Sequence, residues 1–401
     1  MTVRHVAQRI PFHPNGTQRA LLGQCFGARR FVYNQQVEAF DSYDRESNPK
    51  PEYPNVTDLK NRFPWLGDCP LPSNAMSQSI RDFAKAKGSY FRKGEYGRNR
   101  PRFASRNDNI QSFRNCDPIR HMDGNRYPLS RKLGSVRIRK RDRLRYPIEN
   151  LSSWTVKREN RTYYLVLLFT ADIQPMPEAE GHVGIDLGVK DLLTLSTGEK
   201  ISYGDRLDAL EKNVMRQQKI LSHRTKGSNR YQKQRLRLEQ AYAKLKHYRE
   251  NMQHQLSHRL IEENQFIGLE TLAVRNMVRR AKPKTDGHGG YLRNGQGRKR
   301  VLNRLIHSAS WSQFVELLRY KAEWCGRTLV QVDRFYPSSK LCHKCGWKYK
   351  ELKLSERAWT CRNCGTRHDR DVNAAKNILT EAERLFALGS KTFSEPADNR
   401  G

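Results

Sequence analysis

The sequence lacks any long apolar run, and it is poor in acidic residues and in cysteine. No stretch of its 401 residues approaches the ~18 consecutive apolar residues that a membrane span requires. Residues 1–12 also lack the apolar core of a secretory signal. These absences argue against an integral membrane protein and against a secreted precursor. We therefore expect a cytosolic protein without a membrane partner.

The eight cysteines do not form a disulfide framework. Four are scattered, which suits reduced thiols in a cytosolic protein. The other four have the spacing C-x2-C-x15-C-x2-C, which places four thiolates around one tetrahedral Zn²⁺. Because every ligand is a protein group, the predicted site is closed and structural. The alternative, four buried thiols without a metal, fits this spacing poorly. The predicted ligands are Cys342, Cys345, Cys361 and Cys364.

Acidic residues are scarce relative to basic ones. The chain has 75 Lys and Arg against 41 Asp and Glu, a formal net charge of +34. This excess extends over the whole chain, which predicts a polyanionic partner and a steep salt dependence of binding. Nucleic acid is the first candidate. The alternative, a soluble protein with a merely basic surface, would carry this self-repulsion without a bound counter-charge.

The first part of the chain predicts a helical lobe and a small β-barrel. Apolar alternation over 3–12 indicates a strand, and helical spacing begins at Thr17, the predicted N-cap, and again at Ser73. A hairpin is expected around 159–161. A basic cluster with a period of two follows residue 136, and we interpret it as a phosphate-binding face, although a solvated face is an alternative. Its candidate nucleic-acid contacts are Arg137, Arg139, Lys140, Arg141 and Arg143.

The second part predicts an α/β domain. Three strands joined by short turns are followed by alternating helix and strand, which is the order of a ribonuclease H-like fold. The helical pattern of residues 205–264 is very basic and has one break at 226–229, which predicts a helical hairpin. We interpret this hairpin as placed to grip a nucleic-acid duplex, and the alternative is a basic face that only contacts solvent. Residues 287–300 have no period and predict a flexible basic loop. A disordered tail is expected from 389.

Three acids follow separate predicted elements of this domain. Asp186 ends one strand, Glu270 ends another, and Asp371 opens the last helix, where Ala374 and Ala375 permit close packing on the sheet. Taken singly, an acid at a strand end is more often a turn or cap residue. Together they suit a pair of Mg²⁺ ions in phosphodiester hydrolysis. The glycines around Asp186 are interpreted as room for substrate. Asp369 competes with Asp371 for the third position.

Several motifs resemble those of the TnpB family, transposon-associated RNA-guided nucleases related to the type V CRISPR effectors. The similarity covers nearly the whole chain and includes residues 28–34, 101–103, and Trp311 with 320–322. Its most specific segments are GIDLGVKD (184–191), GLE (268–270), PSSKLCHKCG (337–346) and HDRDVNAAKNI (368–378).

The resemblance implies an RNA-guided DNA endonuclease with a catalytic, Mg²⁺-binding triad of Asp186, Glu270 and Asp371. The resemblance selects Asp371 over Asp369 as the third acid. Catalytically dead relatives lose these acids, whereas this chain has all three. It implies an element-derived guide RNA, a double-stranded target DNA next to a short motif, and one protein per RNA. The alternatives are a guided regulator that does not cut and an unguided nuclease or strand-transfer protein. The basic loop at 282–300 is longer than the resemblance leads us to expect.

The implied organisation is a RuvC-like nuclease domain with an inserted zinc ribbon, preceded by a wedge β-barrel and a helical recognition lobe. Its expected boundaries are 1–14 for the first barrel strand, 15–95 for the lobe, 96–178 for the rest of the barrel, 179–335 for the nuclease domain with its hairpin at 205–264, 336–367 for the ribbon, 368–388 for the final helix and 389–401 for the tail.

Overall fold

The computed structural model describes residues 2–42, 51–91, 100–117, 121–139, 142–287, 290–353 and 355–389. The chain divides into two compact units, Met1–Ile173 and Gln174–Gly401. Within the described ranges, no helix is long and apolar enough to cross a membrane. The finer domain boundaries given above stay predictions, and the predicted tail lies outside the described residues from 390 onward.

The first unit combines helices with an antiparallel sheet. Its sheet has the strand order β1-β6-β5-β2, and β3 pairs with β4. The described strands leave this sheet open, so its closure into a barrel stays a prediction. The elements are β1 (Thr2–Phe12), α1 (Gly16–Asp41), α2 (Val56–Arg62), α3 (Trp65–Asp68), α4 (Ser73–Phe91), β2 (Ile110–Asn115), β3 (Arg126–Ser130), β4 (Gly134–Arg137), β5 (Leu151–Glu159) and β6 (Thr162–Ile173).

One apolar core joins α1 to this sheet. Leu22, Phe26 and Trp154 are among its buried side chains. The strand predicted at 3–12 and the hairpin around 159–161 are confirmed. The predicted N-cap is wrong: α1 begins after Asn15, whose side chain accepts a hydrogen bond from the Gln18 N–H while the Gln18 side chain accepts one from the Asn15 N–H. This reciprocal pair satisfies two donors at the helix start, which a cap at Thr17 would not do.

The second unit contains a five-stranded mixed sheet in the order β13-β10-β7-β8-β9. The antiparallel trio and the later parallel strands appear in the predicted order. The elements are β7 (Gly181–Leu187), β8 (Leu193–Leu195), β9 (Lys200–Ile201), α5 (Asp205–Ser222), α6 (Asn229–Glu263), β10 (Asn264–Glu270), α7 (Val274–Met277), β11 (Lys284–Thr285), β12 (Tyr291–Leu292), α8 (Gln296–Ala309), α9 (Trp311–Cys325), β13 (Thr328–Val332), β14 (Ala358–Thr360), β15 (Arg367–Asp369) and α10 (Arg370–Ala387).

The two faces of this sheet pack against different helices. Val183, Ile185 and Ile267 contribute to a core shared with α5, α6 and α9. Phe266 and Val330 lie on the opposite face, with Ile378 of α10. Because side chains alternate along a strand, the even-numbered residues of β7 and β10 face α10. The carboxylates at 186 and 270 are therefore directed to the α10 side.

The prediction of a loop over 287–300 is wrong from residue 296 onward. Helix α8 begins at Gln296, after Gly295 in the left-handed region at φ 75°. It continues to Ala309, and Ile306 and Ala309 are buried in the core of the second unit. The apolar residues that anchor this helix come after residue 300. The basic residues of its first turn therefore show no helical spacing of apolar positions when they are considered alone. Residues 288 and 289 lie outside the described residues.

Candidate active site and metal centre

Two carboxylates occupy adjacent positions on neighbouring parallel strands. Ile185 on β7 is in register with Leu269 on β10, so Asp186 and Glu270 follow side by side at the carboxyl ends of the two strands. Glu270 Oε1 accepts a hydrogen bond of 3.2 Å from the Leu187 N–H. This bond ties the Glu270 side chain to the strand that carries Asp186.

Helix α10 lies unusually close to these strands. A Cβ atom at Gly184 would lie 2.0 Å from the Ala375 carbonyl oxygen, and one at Gly268 would lie 2.8 Å from the Ala382 Cβ. Both glycines precede an acid by two residues and are in register with each other. The interpretation of Gly184 as room for substrate is wrong, because the atoms that occupy this space belong to α10. The close approach brings Asp371, in the first turn of α10, toward the other two acids.

The three carboxylates interact electrostatically. The pKa of Asp186 lies well above its usual value because of burial and because of the negative charges of Glu270 and Asp371. Arg370 and Arg357 lower that pKa to a smaller extent. Burial also raises the pKa of Glu270 to about 7, although the Leu187 N–H opposes this change. Glu270 and Asp371 are therefore close enough to Asp186 for their charges to disfavour its ionised form.

These acids are a suitable donor set for divalent cations. In the part of the chain that the structure describes, no lysine or arginine forms an ion pair with Asp186 or Glu270. Two neighbouring half-buried carboxylates without such a partner need a cation or a proton for charge balance. Oxygen ligands of this type are those that Mg²⁺ prefers.

Asp369 and Asp371 have different structural roles. Asp369 is the N-cap of α10, where its Oδ1 accepts hydrogen bonds from the Asp371 and Val372 N–H groups. It also forms an ion pair of 2.8 Å with Lys200. Although burial raises the pKa of Asp369, the hydrogen bond from Lys200 helps to keep it below its usual value. Asp369 is thus occupied in starting the helix that carries Asp371.

Two cations lie beside Asp371, and sequence reasoning missed both. Lys200 Nζ is 4.0 Å from Asp371 Oδ2, and Arg357 Nη1 is 3.5 Å from the same oxygen. Lys200 comes from the short strand β9, and Arg357 comes from the segment just before β14. Neither lies near Asp371 in the sequence, so no local pattern could have identified them.

The four predicted cysteines converge on one point. The Sγ atoms of Cys342 and Cys364 are 3.6 Å apart, as are those of Cys345 and Cys361. All four sulfurs lie within 4.8 Å of one another. With metal–sulfur bonds of about 2.3 Å, tetrahedral geometry requires sulfur separations near 3.8 Å. The four thiols can therefore hold one tetrahedral metal ion.

Two buried asparagines of α10 fix the cysteine loop to this helix. The side-chain N–H groups of Asn373 and Asn377 both donate to the Leu341 carbonyl, at 2.6 and 2.7 Å. Asn373 Oδ1 accepts a bond of 3.1 Å from the His343 N–H. The strand β15 then continues from this ribbon directly into α10. The same helix therefore supports the four-cysteine site and presents Asp371.

The predicted nucleic-acid contacts lie in the first unit. Arg137 is exposed on β4, and Arg139 Nη2 lies 2.8 Å from His13 Nε2. The backbone carbonyl of Arg143 accepts a hydrogen bond from the Gln8 side chain. Lys140 and Arg141 lie outside the described residues. A binding role for all five stays a prediction.

Three family models match this chain. The OrfB_IS605 model, described as "Probable transposase", covers residues 155–281. A model of the Cas12f1-like TNB domain covers 311–378, which includes all four cysteines. A model described as "Helix-turn-helix domain" covers 1–42. In this chain residues 2–42 form a strand and one helix, so that description does not fit the local structure.

Similar proteins match over almost the full chain. A Streptomyces pristinaespiralis protein named "Putative RNA-guided DNA endonuclease" is 32% identical, and the match covers 96% of this chain and 90% of that protein. The chain belongs to the TnpB family. Another relative in Escherichia coli K12, "Putative RNA-guided DNA endonuclease InsQ", is 28% identical over 97% of this chain and 95% of its own length.

More distant similarity extends beyond TnpB. The "CRISPR-associated endodeoxyribonuclease Cas12f1" of Sulfoacidibacillus thermotolerans is 22% identical, covering 58% of this chain and 54% of that protein. Among solved structures, a Cas12f1–sgRNA–target DNA complex covers 94% of this chain and 99% of the matched chain, with a TM-score of 0.36 and 14% identity. This TM-score is too low to support an inference about the present chain. The family assignment therefore depends on the relatives found by sequence.

Proposed function

We propose that this TnpB protein is an RNA-guided DNA endonuclease of a transposable element that cuts target DNA next to a short motif. The observation that supports the proposal is the adjacent position of Asp186 and Glu270 on neighbouring strands, with Asp371 close enough to raise the pKa of Asp186. Family relatives named as RNA-guided DNA endonucleases support the same reaction class. We place the protein in the prokaryotic cytosol, with a guide RNA and double-stranded DNA as partners.

In this proposal the second unit is a RuvC-like nuclease domain. Asp186, Glu270 and Asp371 would hold two Mg²⁺ ions, which would supply charge stabilisation for phosphodiester hydrolysis. Asp186 and Glu270 are fixed by adjacent strands, and Asp371 is fixed by the close packing of α10. The Leu187 N–H orients Glu270. Lys200 and Arg357 lie beside Asp371 and balance its charge.

The four-cysteine site has a structural role in this proposal and binds one Zn²⁺. It leaves no ligand position for water, because four protein sulfurs complete the tetrahedron. Its contribution is to shape the ribbon that ends at Asp369, the N-cap of α10. The zinc site therefore affects cleavage through the position of Asp371, without touching DNA at the reacting phosphate.

Cleavage of a plasmid target by the protein–RNA complex tests the acidic triad. Asp186→Ala should abolish Mg²⁺-dependent cutting and leave binding of target DNA in chelator intact, because the acid holds metal and the guide pairs with DNA. Asp208→Ala removes an exposed acid on α5 and serves as the matched control. Cutting by the purified Asp186→Ala protein would refute the assignment. Wild-type binding without cutting would instead indicate a guided regulator.

Sequencing of RNA that co-purifies with the protein tests guidance. Expression with the native flanking DNA should yield one discrete species with a structured part and a variable 3′ end. A random mixture of RNA that is lost in high salt would leave an unguided nuclease or strand-transfer protein. The two experiments are independent, because the first reports chemistry and the second reports the source of sequence choice.

A further inference from the structure

The first unit contains a basic pocket that the proposed cleavage reaction does not use. It lies beside the end of β1 and the turn between β5 and β6, and its volume is about 430 Å³. This is within the range of about 300–1,000 Å³ that ligand pockets occupy. Its lining includes His13, Arg19, Arg158, Arg161 and Tyr163. We refer to these residues as the hairpin pocket.

The hairpin pocket has an unbalanced positive charge. None of its lining residues is acidic. Glu159 follows Arg158 in the sequence but points to the other face of β5, where it pairs with Arg9 at 2.9 Å and Lys157 at 3.2 Å. Within the described ranges, no carboxylate forms an ion pair with Arg19, Arg158 or Arg161. The charge of this pocket is therefore available to an external anion.

The turn that forms one wall is strained at an arginine. Asn160 and Arg161 both have positive φ, 48° and 69°. A two-residue hairpin turn of this kind favours Asn followed by Gly, because a side chain at the second position is strained in the left-handed region. The left-handed conformation is strained for a residue with a Cβ atom. The sequence keeps the larger residue where glycine would be least strained, which points to a use for the side chain.

Neighbouring groups restrain two arginines of the hairpin pocket, Arg19 and Arg158. Arg19 Nε donates a hydrogen bond of 3.0 Å to the Pro14 carbonyl. The Arg158 guanidinium lies 5.5 Å from the centre of the Phe26 ring. Restraint of this kind lowers the entropy that is lost when the guanidinium groups bind an anion. The Tyr163 ring, packed against Phe12 at 5.8 Å between ring centres, supplies a half-buried aromatic wall.

We propose that the hairpin pocket binds one nucleotide unit of a nucleic-acid strand. Arg158 and Arg161 contact its phosphate, and the sugar or base lies against Tyr163. Planar guanidinium groups suit phosphate oxygens, and aromatic rings accept any base by stacking. This inference depends on the proposed function for its ligand, because guide RNA and target DNA are the two sources of such a phosphodiester.

Replacement of Arg161 by glycine tests the pocket without threatening the fold. Arg161→Gly removes the charge and relieves the positive-φ strain, so the melting temperature should stay equal or rise. Arg131→Ala removes one exposed charge from the loop between β3 and β4 and serves as the charge-matched control. Fluorescence anisotropy in chelator would measure binding to a short single-stranded RNA and to a DNA duplex of the same sequence.

We expect Arg161→Gly to weaken binding of one probe by about five- to tenfold and to reduce the slope of log affinity against log salt by ~0.7–0.9, while Arg131→Ala has a smaller effect. The probe that loses affinity identifies the source as RNA or DNA. The proposed role of the hairpin pocket would be overturned by any of three results. These are equal losses of affinity in Arg161→Gly and Arg131→Ala, unchanged binding by Arg161→Gly, and failure of the wild type to bind either probe. This binding assay does not measure cutting. A wild-type protein that binds a probe here but fails to cleave in the plasmid assay would therefore contradict only the proposed nuclease activity.

Discussion

Replacing Gly184 with alanine tests the contact that brings α10 to the acids. The added Cβ would lie 2.0 Å from the Ala375 carbonyl oxygen and 2.8 Å from both Cβ and N of Leu379. Carbon–oxygen contacts are ordinarily no shorter than ~3.3 Å. The obstructing atoms include the backbone of a helix, which cannot rotate away as the end of a flexible side chain can. Helix α10 must therefore move by more than about 1 Å.

This displacement predicts one effect on stability and one on cleavage. Overpacking of a close contact costs about 1–3 kcal/mol of stability, so the Gly184→Ala protein should fold but melt earlier. A misplacement of ~1 Å in a catalytic group costs about a hundredfold in rate. Because Asp371 moves with α10, we expect the Gly184→Ala protein to cleave about a hundredfold more slowly at temperatures where it is still folded.

The assay is plasmid cleavage by the protein–RNA complex, with thermal unfolding and DNA binding measured on the same samples. Gly23→Ala on α1 is the matched control, since a Cβ there meets nothing within 4 Å. It should stabilise the protein by about 0.5–1 kcal/mol and leave cutting unchanged. A Gly184→Ala protein with wild-type melting and wild-type cutting would refute the described approach of α10 to the sheet.

Two further predictions concern the metals. Cys361→Ser should lower bound zinc, measured by elemental analysis, from about one ion per chain toward zero, and it should reduce cutting at least tenfold. The control Cys116→Ser should change neither the zinc content nor cutting. A full zinc content in the Cys361→Ser protein would contradict the four-cysteine site. Asp186→Asn should raise the stability of the Mg²⁺-free protein by about 1–2 kcal/mol, because it removes a carboxylate that is buried and lies near the negative charges of Glu270 and Asp371. That gain, measured by thermal melting in buffer without added Mg²⁺, should shrink when Mg²⁺ is added. A destabilised Asp186→Asn protein would argue against this reasoning.

The strands and the positions of the acids were accessible from sequence because their signals are local. Apolar alternation through Val183 and Ile185 determines which way Asp186 points, and the same argument applies to Glu270 on β10. The two cysteine pairs could be identified as metal ligands from their C-x2-C spacing alone. A short, strongly patterned segment thus predicts both its conformation and the face on which its polar residue lies.

Other features depend on contacts between distant residues and could not be read locally. The division of roles between Asp369 and Asp371 depends on where α10 begins and on Lys200 from β9. Gly184 is required by a helix that follows it far along the chain. The hydrogen bonds from Asn373 and Asn377 to the ribbon need the ribbon itself to be folded.

The junction between β15 and α10 has a consequence for the order in which the nuclease becomes competent during synthesis. Asp186 and Glu270 leave the ribosome long before the ribbon, and Asp371 follows only after the last cysteine. A nascent or prematurely terminated chain that ends before this junction has the sheet but lacks both α10 and the third acid. We therefore expect incomplete chains that end before this junction to be unable to cut DNA.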